Sequence, residues 1–286
     1  MSGERIDRIG QVIGDRFRVD GVIGKGANAD VFRALDITTS AFVALKILRR
    51  QLGGDPASVQ RFEREGDVQS RLRHRNVAAL LASGVTKLDE PYLVVELLRG
   101  KTLRSVVKAE GRISARRAVS YAWQALQGLA AVHGAGVLHR DLKPANIMLE
   151  PSPGPVERVV LIDFGFATFE GGTKLTQQGT VVGSLTYMAP ERLRGEPPDQ
   201  RSDLYAIAAI LYELLAGTPP FSGKDDFDLI EQHLYNEPPR LRELDATLPE
   251  ALDELVDRAL AKHQDDRFSD ALAMATDLEA AVRELG

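Results

Sequence analysis

The chain has 286 residues, of which 44% are hydrophobic and 27% charged, with a formal net charge of -5. That length suits one bilobal domain or two small ones around a sizeable core, in a composition ordinary for soluble globular proteins. The negative balance argues against non-specific nucleic-acid binding, and the absence of cysteine excludes disulfides, thiolate zinc sites and a catalytic thiol. None of His74, His133, His139, His233 and His263 has metal-ligand spacing, and His139 reads as a packed core residue rather than a base. Residues 1–10 carry charges among their apolar residues and do not resemble a signal peptide. The longest apolar run, 204–212, falls short of the roughly 18 residues of a membrane span, so a soluble, cytoplasmic protein is expected.

Ile6, Ile9 and Ile13 share helical spacing, so a short helix is one expectation for the start. Phe17, Val19, Gly21 and Ile23 then alternate as a half-buried strand. Gly24-Lys25-Gly26-Ala27-Asn28-Ala29-Asp30-Val31 follows, and further strands are expected over 31–36 and 41–48. A glycine-rich turn between two strands lacks the helix that a dinucleotide-binding turn requires. It reads instead as a flap whose N–H groups can approach phosphates closely. Lys46 closes the run Val43-Ala44-Leu45, and an ammonium held beside a core needs an anion. Residues 61–72 read as a helix with Phe62, Glu65, Val68 or Gln69, and Leu72 on one face, which makes Glu65 the candidate counter-ion. Ser83-Gly84 reads as a turn and 91–96 as a strand. Arg99-Gly100 breaks that strand, separating a strand-rich part from a helix-rich one.

Thr102 can cap a short helix, and 114–133 is amphipathic, with Ala118, Tyr121, Ala125, Leu129 and Val132 on one side. Next comes His139-Arg140-Asp141-Leu142-Lys143-Pro144-Ala145-Asn146. Within this octet Asp141 can accept a hydroxyl proton, Lys143 can neutralise phosphate charge and Asn146 can offer an amide oxygen to a divalent cation. That inventory suits phosphoryl transfer, which depends on positioning and charge neutralisation. Residues 147–149 and 159–162 read as buried strands, the second delivering Asp163-Phe164-Gly165, an acid well placed for metal. Residues 166–183 have few core anchors and read as a mobile loop. Ser202-Asp203 starts an almost wholly apolar helix over 204–216, expected to be buried on all sides. Amphipathic helices are expected near 226–236, 249–262 and 269–284, with Ser269 as N-cap of the last.

Taken in order, the glycine-rich turn, Val43-Ala44-Leu45-Lys46, Glu65, HRDLKPAN, Asp163-Phe164-Gly165 and Ala189-Pro190-Glu191 resemble a bacterial eukaryotic-like serine/threonine protein kinase catalytic domain over nearly the whole chain. The resemblance implies an α+β, bilobal protein-kinase fold: a small, mainly antiparallel β lobe with one key helix, and a larger helical lobe. It sets a kinase domain at 14–286 after an extension at 1–13, with the small lobe at about 14–97, a hinge at about 96–101 and the large lobe at 102–286. It implies ATP and Mg2+, with Mn2+ as a substitute, and protein substrates. It also implies autophosphorylation on the activation loop, with a homodimer as one means of doing this in trans.

The resemblance also implies roles. Ile23, Gly24, Lys25, Gly26, Ala27, Asn28 and Ala29 would cover the ATP phosphates, and Lys46, held by Glu65, would bind the α- and β-phosphates. Glu96 and Leu98 would present backbone groups to adenine, with Val95 guarding the pocket behind and Val31, Ala44 and Met148 sandwiching the ring. Asp141 would orient the acceptor hydroxyl and take its proton late, Lys143 would meet the γ-phosphate, and Asn146 and Asp163 would bind Mg2+. Ser184 would bridge Asp141 and Lys143, Asp203 would brace the catalytic loop, and Glu191 would pair with Arg267. Arg140 would receive a phosphothreonine, with Thr176 and Thr180 as first candidates and Thr173 next.

Some positions depart from the family pattern. Ala29 replaces the third glycine of the turn, Ser184 stands where threonine is usual, and Gly66 lowers helix propensity by about 1 kcal/mol relative to alanine. Gln69 sits where an apolar or small residue is common, which implies an active helix position that needs a partner or phosphorylation to hold it. Phe166 implies serine over threonine as acceptor. The alternatives are a catalytically dead kinase-fold scaffold and a small-molecule phosphotransferase of related fold. Lys143-Pro144 and Ala189-Pro190-Glu191 favour a protein substrate.

Overall fold

The computed structural model describes residues 8–26, 28–49, 52, 55–154, 156–163 and 185–283, which divide into two compact units. The first comprises the chain up to Arg73 together with Ala78–Arg99; the second comprises His74–Val77 and the chain from Gly100 onward.

The first unit is an antiparallel sheet with one helix. Its strands β1 (Val12–Ile13), β2 (Phe17–Lys25), β3 (Ala29–Asp36), β4 (Ala41–Leu48), β5 (Leu80–Val85) and β6 (Pro91–Glu96) lie in the order β1-β2-β3-β4-β6-β5. Alternation builds the sheet core: Phe17, Val19, Phe32, Ala34, Val43, Leu45, Tyr92 and Val94 pack together on one side. Two sequence expectations change here. Residues 8–13 are not a helix: Val12–Ile13 pairs with β2, Ile9 is 59% exposed, and buried Arg8 meets Glu90 at 2.6 Å. Ser83-Gly84 is not a turn but part of β5. Strand β5 alternates half-buried and exposed residues, and Gly84 sits where a Cβ would lie 2.6 Å from the Tyr92 hydroxyl.

Helix α1 (Pro56–Arg71) starts before the expected residue 61 because Asp55 caps it, accepting from the N–H groups of Ala57 and Ser58, and Pro56 fits its first turn. Phe62 anchors it on the sheet against Ala29, Leu48 and Leu93. Gly66 marks the closest approach, where a Cβ would fall 2.6 Å from Leu93 Cδ2. Helix propensity is thus given up for contact.

The second unit is mainly helical. Around the buried α5 (Gln200–Ala216) stand α2 (Leu103–Glu110), α3 (Ala115–Gly134), α4 (Pro190–Arg194), α6 (Asp226–Tyr235), α7 (Leu241–Leu244), α8 (Glu250–Ala259) and α9 (Ala271–Arg283). Thirteen of the 17 residues of α5 are buried, as its apolar circumference demands. A small sheet, β7 (Lys101–Thr102), β8 (Ile147–Glu150) and β9 (Arg158–Leu161), carries the polar octet at the entrance to β8. Asp270, rather than Ser269, caps α9, accepting from the Ala273 N–H at 2.8 Å. Among the described residues no helix is long and apolar enough to cross a membrane.

Candidate active site

In the first unit β4 places Lys46 opposite Val31 on β3 and Leu93 on β6. Its Nζ donates to Glu65 Oε1 at 2.6 Å and lies 5.9 Å from the Phe62 ring centroid. Both partners are largely buried, where a cation and an anion hold one another. Gln69, also buried on the inner face of α1, donates to the Ala78 carbonyl at 2.9 Å, which accounts for a polar residue there. The glycine-rich turn follows the β2–β3 ladder as far as Lys25↔Asp30. The Gly26 N–H then donates to the Ala29 carbonyl at 2.9 Å, and a Cβ on Gly26 would come equally close to that oxygen. Ile23 and Gly24 lie on β2, Ala29 and Val31 on β3, and Ala44 pairs with Val95 across β4–β6. The Glu96 N–H donates to the Ala79 carbonyl at 3.0 Å, and its Oε1 accepts from the Ala79 N–H at 3.0 Å.

In the second unit the octet wraps around one buried carboxylate. Asp203, in the first turn of α5, is 3% exposed. Its Oδ2 accepts the His139 N–H at 2.8 Å and faces His133 Nε2 at 2.9 Å, while Oδ1 accepts the Arg140 N–H at 2.9 Å. Burial alone would raise the Asp203 carboxyl, but the hydrogen bond and charge of His133, with His139 and the Arg140 N–H, outweigh it and hold the group below its usual range. His139 is fully enclosed, and burial pushes its imidazole down, toward the neutral form. Sequence reasoning misses His133 because it ends a helix whose apolar stripe stops at Val132. An imidazole one residue past that stripe is the available signal.

Asp141 Oδ2 accepts from Lys143 Nζ at 2.7 Å and from Asn146 Nδ2 at 2.9 Å, and the same Nδ2 donates to the Asp141 carbonyl at 2.8 Å. With its amide nitrogen committed to Asp141, Asn146 keeps Oδ1 as the end able to meet a cation. The Ile162 N–H donates to the Asn146 carbonyl at 3.0 Å, so Asp163, exposed at φ 53°, follows immediately beside it. Met148 stands half-buried two residues along β8. Asn146 Oδ1 and the Asp163 carboxylate are hard oxygen donors of the kind Mg2+ prefers. Among the described residues no group of three or more His, Asp or Glu could hold a metal. A divalent ion held by these two oxygen donors would complete its shell with water and phosphate oxygens.

Below the octet, Arg267 donates from Nη1 to Glu191 Oε1 and from Nη2 to Oε2, each at 2.9 Å, and Ser202 Oγ adds a bond to Oε1 at 2.5 Å. Arg192, the next residue on α4, donates from Nη1 to the Arg140 carbonyl. Ala27, Thr173, Thr176, Thr180 and Ser184, with the expected loop at 166–183, lie outside the described residues.

The protein kinase domain family matches residues 17–278, and the chain belongs to that family. It is 38% identical over 282 residues to the serine/threonine-protein kinase pkn3 of Myxococcus xanthus, covering 96% of this chain and 52% of that protein. It is 38% identical over 276 residues to the probable serine/threonine-protein kinase PknB of Corynebacterium glutamicum, covering 93% and 42% respectively. The chain therefore spans about half or less of the length of these relatives. Among solved structures, the Mycobacterium tuberculosis PknI kinase domain superposes with a TM-score of 0.74 at 24% identity, covering 97% of this chain and 100% of that one. The fold is accordingly the α+β protein-kinase fold. Family membership implies ATP as phosphoryl donor and a divalent cation in general terms.

Proposed function

We propose that this chain is the catalytic domain of a serine/threonine protein kinase, with boundaries near 14 and 286, acting in the cytoplasm where ATP is abundant. The observation that carries this reading is the convergence of Lys143 Nζ and Asn146 Nδ2 on one oxygen of Asp141, at 2.7 and 2.9 Å. Two donors fix that carboxylate, and Oδ1, which accepts no hydrogen bond among the described residues, would meet an incoming hydroxyl.

In this reading Lys46, steadied by Glu65, binds the α- and β-phosphates. The glycine-rich turn offers N–H groups to the same phosphates. Asp141 accepts a hydrogen bond from a protein serine or threonine hydroxyl and aims its oxygen at the γ-phosphorus. As the new O–P bond forms and the bond to the ADP oxygen breaks, the hydroxyl proton passes to Asp141. Lys143 balances the charge on the transferring group. Asn146 and Asp163 hold Mg2+, which neutralises phosphate charge when bound. The substrates include the chain's own activation segment at Thr173, Thr176 or Thr180. The resulting phosphothreonine would be received by Arg140, and a homodimer is one means of making the transfer in trans.

The test is transfer from γ-labelled ATP to a serine/threonine peptide library, with Lys46→Met and Asp141→Asn alongside. Phosphoserine and phosphothreonine without phosphotyrosine are expected, and both variants should be silent. Label appearing only on small alcohols such as aminoglycosides or choline, or no transfer despite nucleotide binding, would overturn the reading.

A further inference from the structure

Arg140 holds a left-handed backbone conformation, φ 66°, which a side-chain-bearing residue keeps only where its surroundings enforce it. It directly precedes Asp141, so the plane of the peptide joining them sets the direction in which the Asp141 side chain leaves the backbone. Such a peptide can flip by rotating ψ of one residue against φ of the next unless both of its sides are held. The N–H of Arg140 is held by Asp203 Oδ1 at 2.9 Å, and the His139 N–H by the other oxygen. These bonds fix what comes before the peptide, and the peptide's own N–H, that of Asp141, donates to the His139 carbonyl at 2.9 Å. The carbonyl that belongs to it is held by Arg192 Nη1.

Arg192 is well founded for that task. It stands on α4, a single short helix begun by Pro190 and closed by Gly195 in the left-handed conformation. Its neighbour Glu191 is clamped by Arg267 and Ser202. The guanidinium thus projects from a base that cannot drift. Burial lowers its pKa, and the carboxylates of Asp203 and Asp141 oppose that loss. An arginine withstands such burial as a cation and offers planar, directional donors.

We propose that Arg192 is a positioning residue for phosphoryl transfer, locking the carbonyl of the 140–141 peptide so that Asp141 keeps its aim toward Lys143 and Asn146. The inference rests on Asp141 being the group that receives the acceptor proton. Without Arg192 the Arg140 carbonyl loses its charged donor, the peptide gains a second orientation, and Asp141 spends part of its time turned away. The catalytic consequence is a lower kcat at unchanged nucleotide affinity. Lysine, with a single-point donor on a shorter reach, restores part of the hold.

The experiment compares Arg192→Met and Arg192→Lys with the unaltered chain in two measurements. In amide hydrogen exchange, the amides of residues 139–146 should exchange about tenfold faster in Arg192→Met, with Arg192→Lys in between. The β2–β3 ladder and α9 should be unchanged. In steady-state phosphate transfer, kcat should fall about tenfold in Arg192→Met, with KM for ATP within about twofold and partial recovery in Arg192→Lys. Unchanged exchange at 139–146 overturns the proposal, as does a uniform rise through the whole second unit, which would make Arg192 a general stabiliser. Faster exchange with unchanged kcat also overturns it. If the unaltered chain transfers no phosphate, the kinase reading fails on its own account, while the exchange data still decide whether Arg192 holds the loop.

Discussion

Glu191 and Arg267, 76 positions apart, face each other as a two-bond fork from which water is excluded, their side chains 2% and 0% exposed. Burial alone would raise the Glu191 carboxyl; the fork from Arg267 and the bond from Ser202 outweigh that and keep it below its usual range. Removing one partner strands the other as a buried charge. Arg267→Ala should therefore lower unfolding stability by roughly 3–5 kcal/mol, read from urea melts. Glu191→Gln should cost less than Glu191→Ala because its amide oxygen still accepts one donor.

Asp203 serves two backbone N–H groups and one imidazole at once. In Asp203→Asn one acceptor oxygen becomes an NH2 donor facing a donor. Stability should fall by about 3 kcal/mol and phosphate transfer at least about tenfold, because the loop carrying Asp141 loses its brace. Asp203 also predicts an acid limb. Its depressed pKa contributes stability that is present above the ordinary aspartate range and is lost as pH falls through the folded value. Melts between pH 5 and 2 should show a shallower limb in the variant.

His233 supplies a second, separable pH effect. It is fully enclosed, meets the Tyr205 hydroxyl through Nδ1 at 2.9 Å and packs 4.8 Å from the Phe221 ring centroid. Burial, helped by the Lys262 charge, pushes its imidazole from 6.5 down to about 3. Below pH 6.5 the unfolded chain binds a proton that the folded chain refuses, so stability rises with pH across that window. The contribution is complete above 6.5 and is lost as pH falls toward 3. At pH 5 the loss should approach about 2 kcal/mol. Between pH 5 and 6.5 the stability of His233→Gln should depend on pH with about one proton less; equal slopes would contradict this.

Gly66 offers a test of contact against propensity. By helix propensity alone Gly66→Ala should stabilise α1 by up to about 1 kcal/mol. The added methyl would instead meet Leu93 Cδ2 at 2.6 Å. Net destabilisation by about 1 kcal/mol is expected, with lower nucleotide affinity if Glu65 moves away from Lys46. A gain in melting temperature would show that Leu93 yields freely.

Much of this was legible in the sequence where a periodic pattern met a single buried face. Strand β2 could be read from the alternation that begins at Phe17 and Val19, and α5 from its apolar circumference. Strand β5 could not: an edge strand buries little, and its Ser83-Gly84 imitates a turn although Gly84 is there to admit the Tyr92 hydroxyl. The start of α1 was hidden because Asp55-Pro56 follows two glycines, and a cap is recognisable only once its carboxylate is seen to accept from Ala57 and Ser58. In the site, spacing could bring Asp141, Lys143 and Asn146 together, since they are neighbours in the chain. It could not bring Arg192 to the Arg140 carbonyl or His133 to Asp203, contacts spanning 52 and 70 positions.

The central claim is that Asp141 belongs to a working phosphoryl-transfer site. Its most direct test is the intact mass of the chain after incubation with Mg-ATP, beside an Asp141→Asn control. Added steps of one phosphate each are predicted, absent from the control, with fragment spectra placing them among Thr173, Thr176 and Thr180. An unchanged mass while ATP still binds, or equal phosphate addition in the Asp141→Asn chain, would contradict the account.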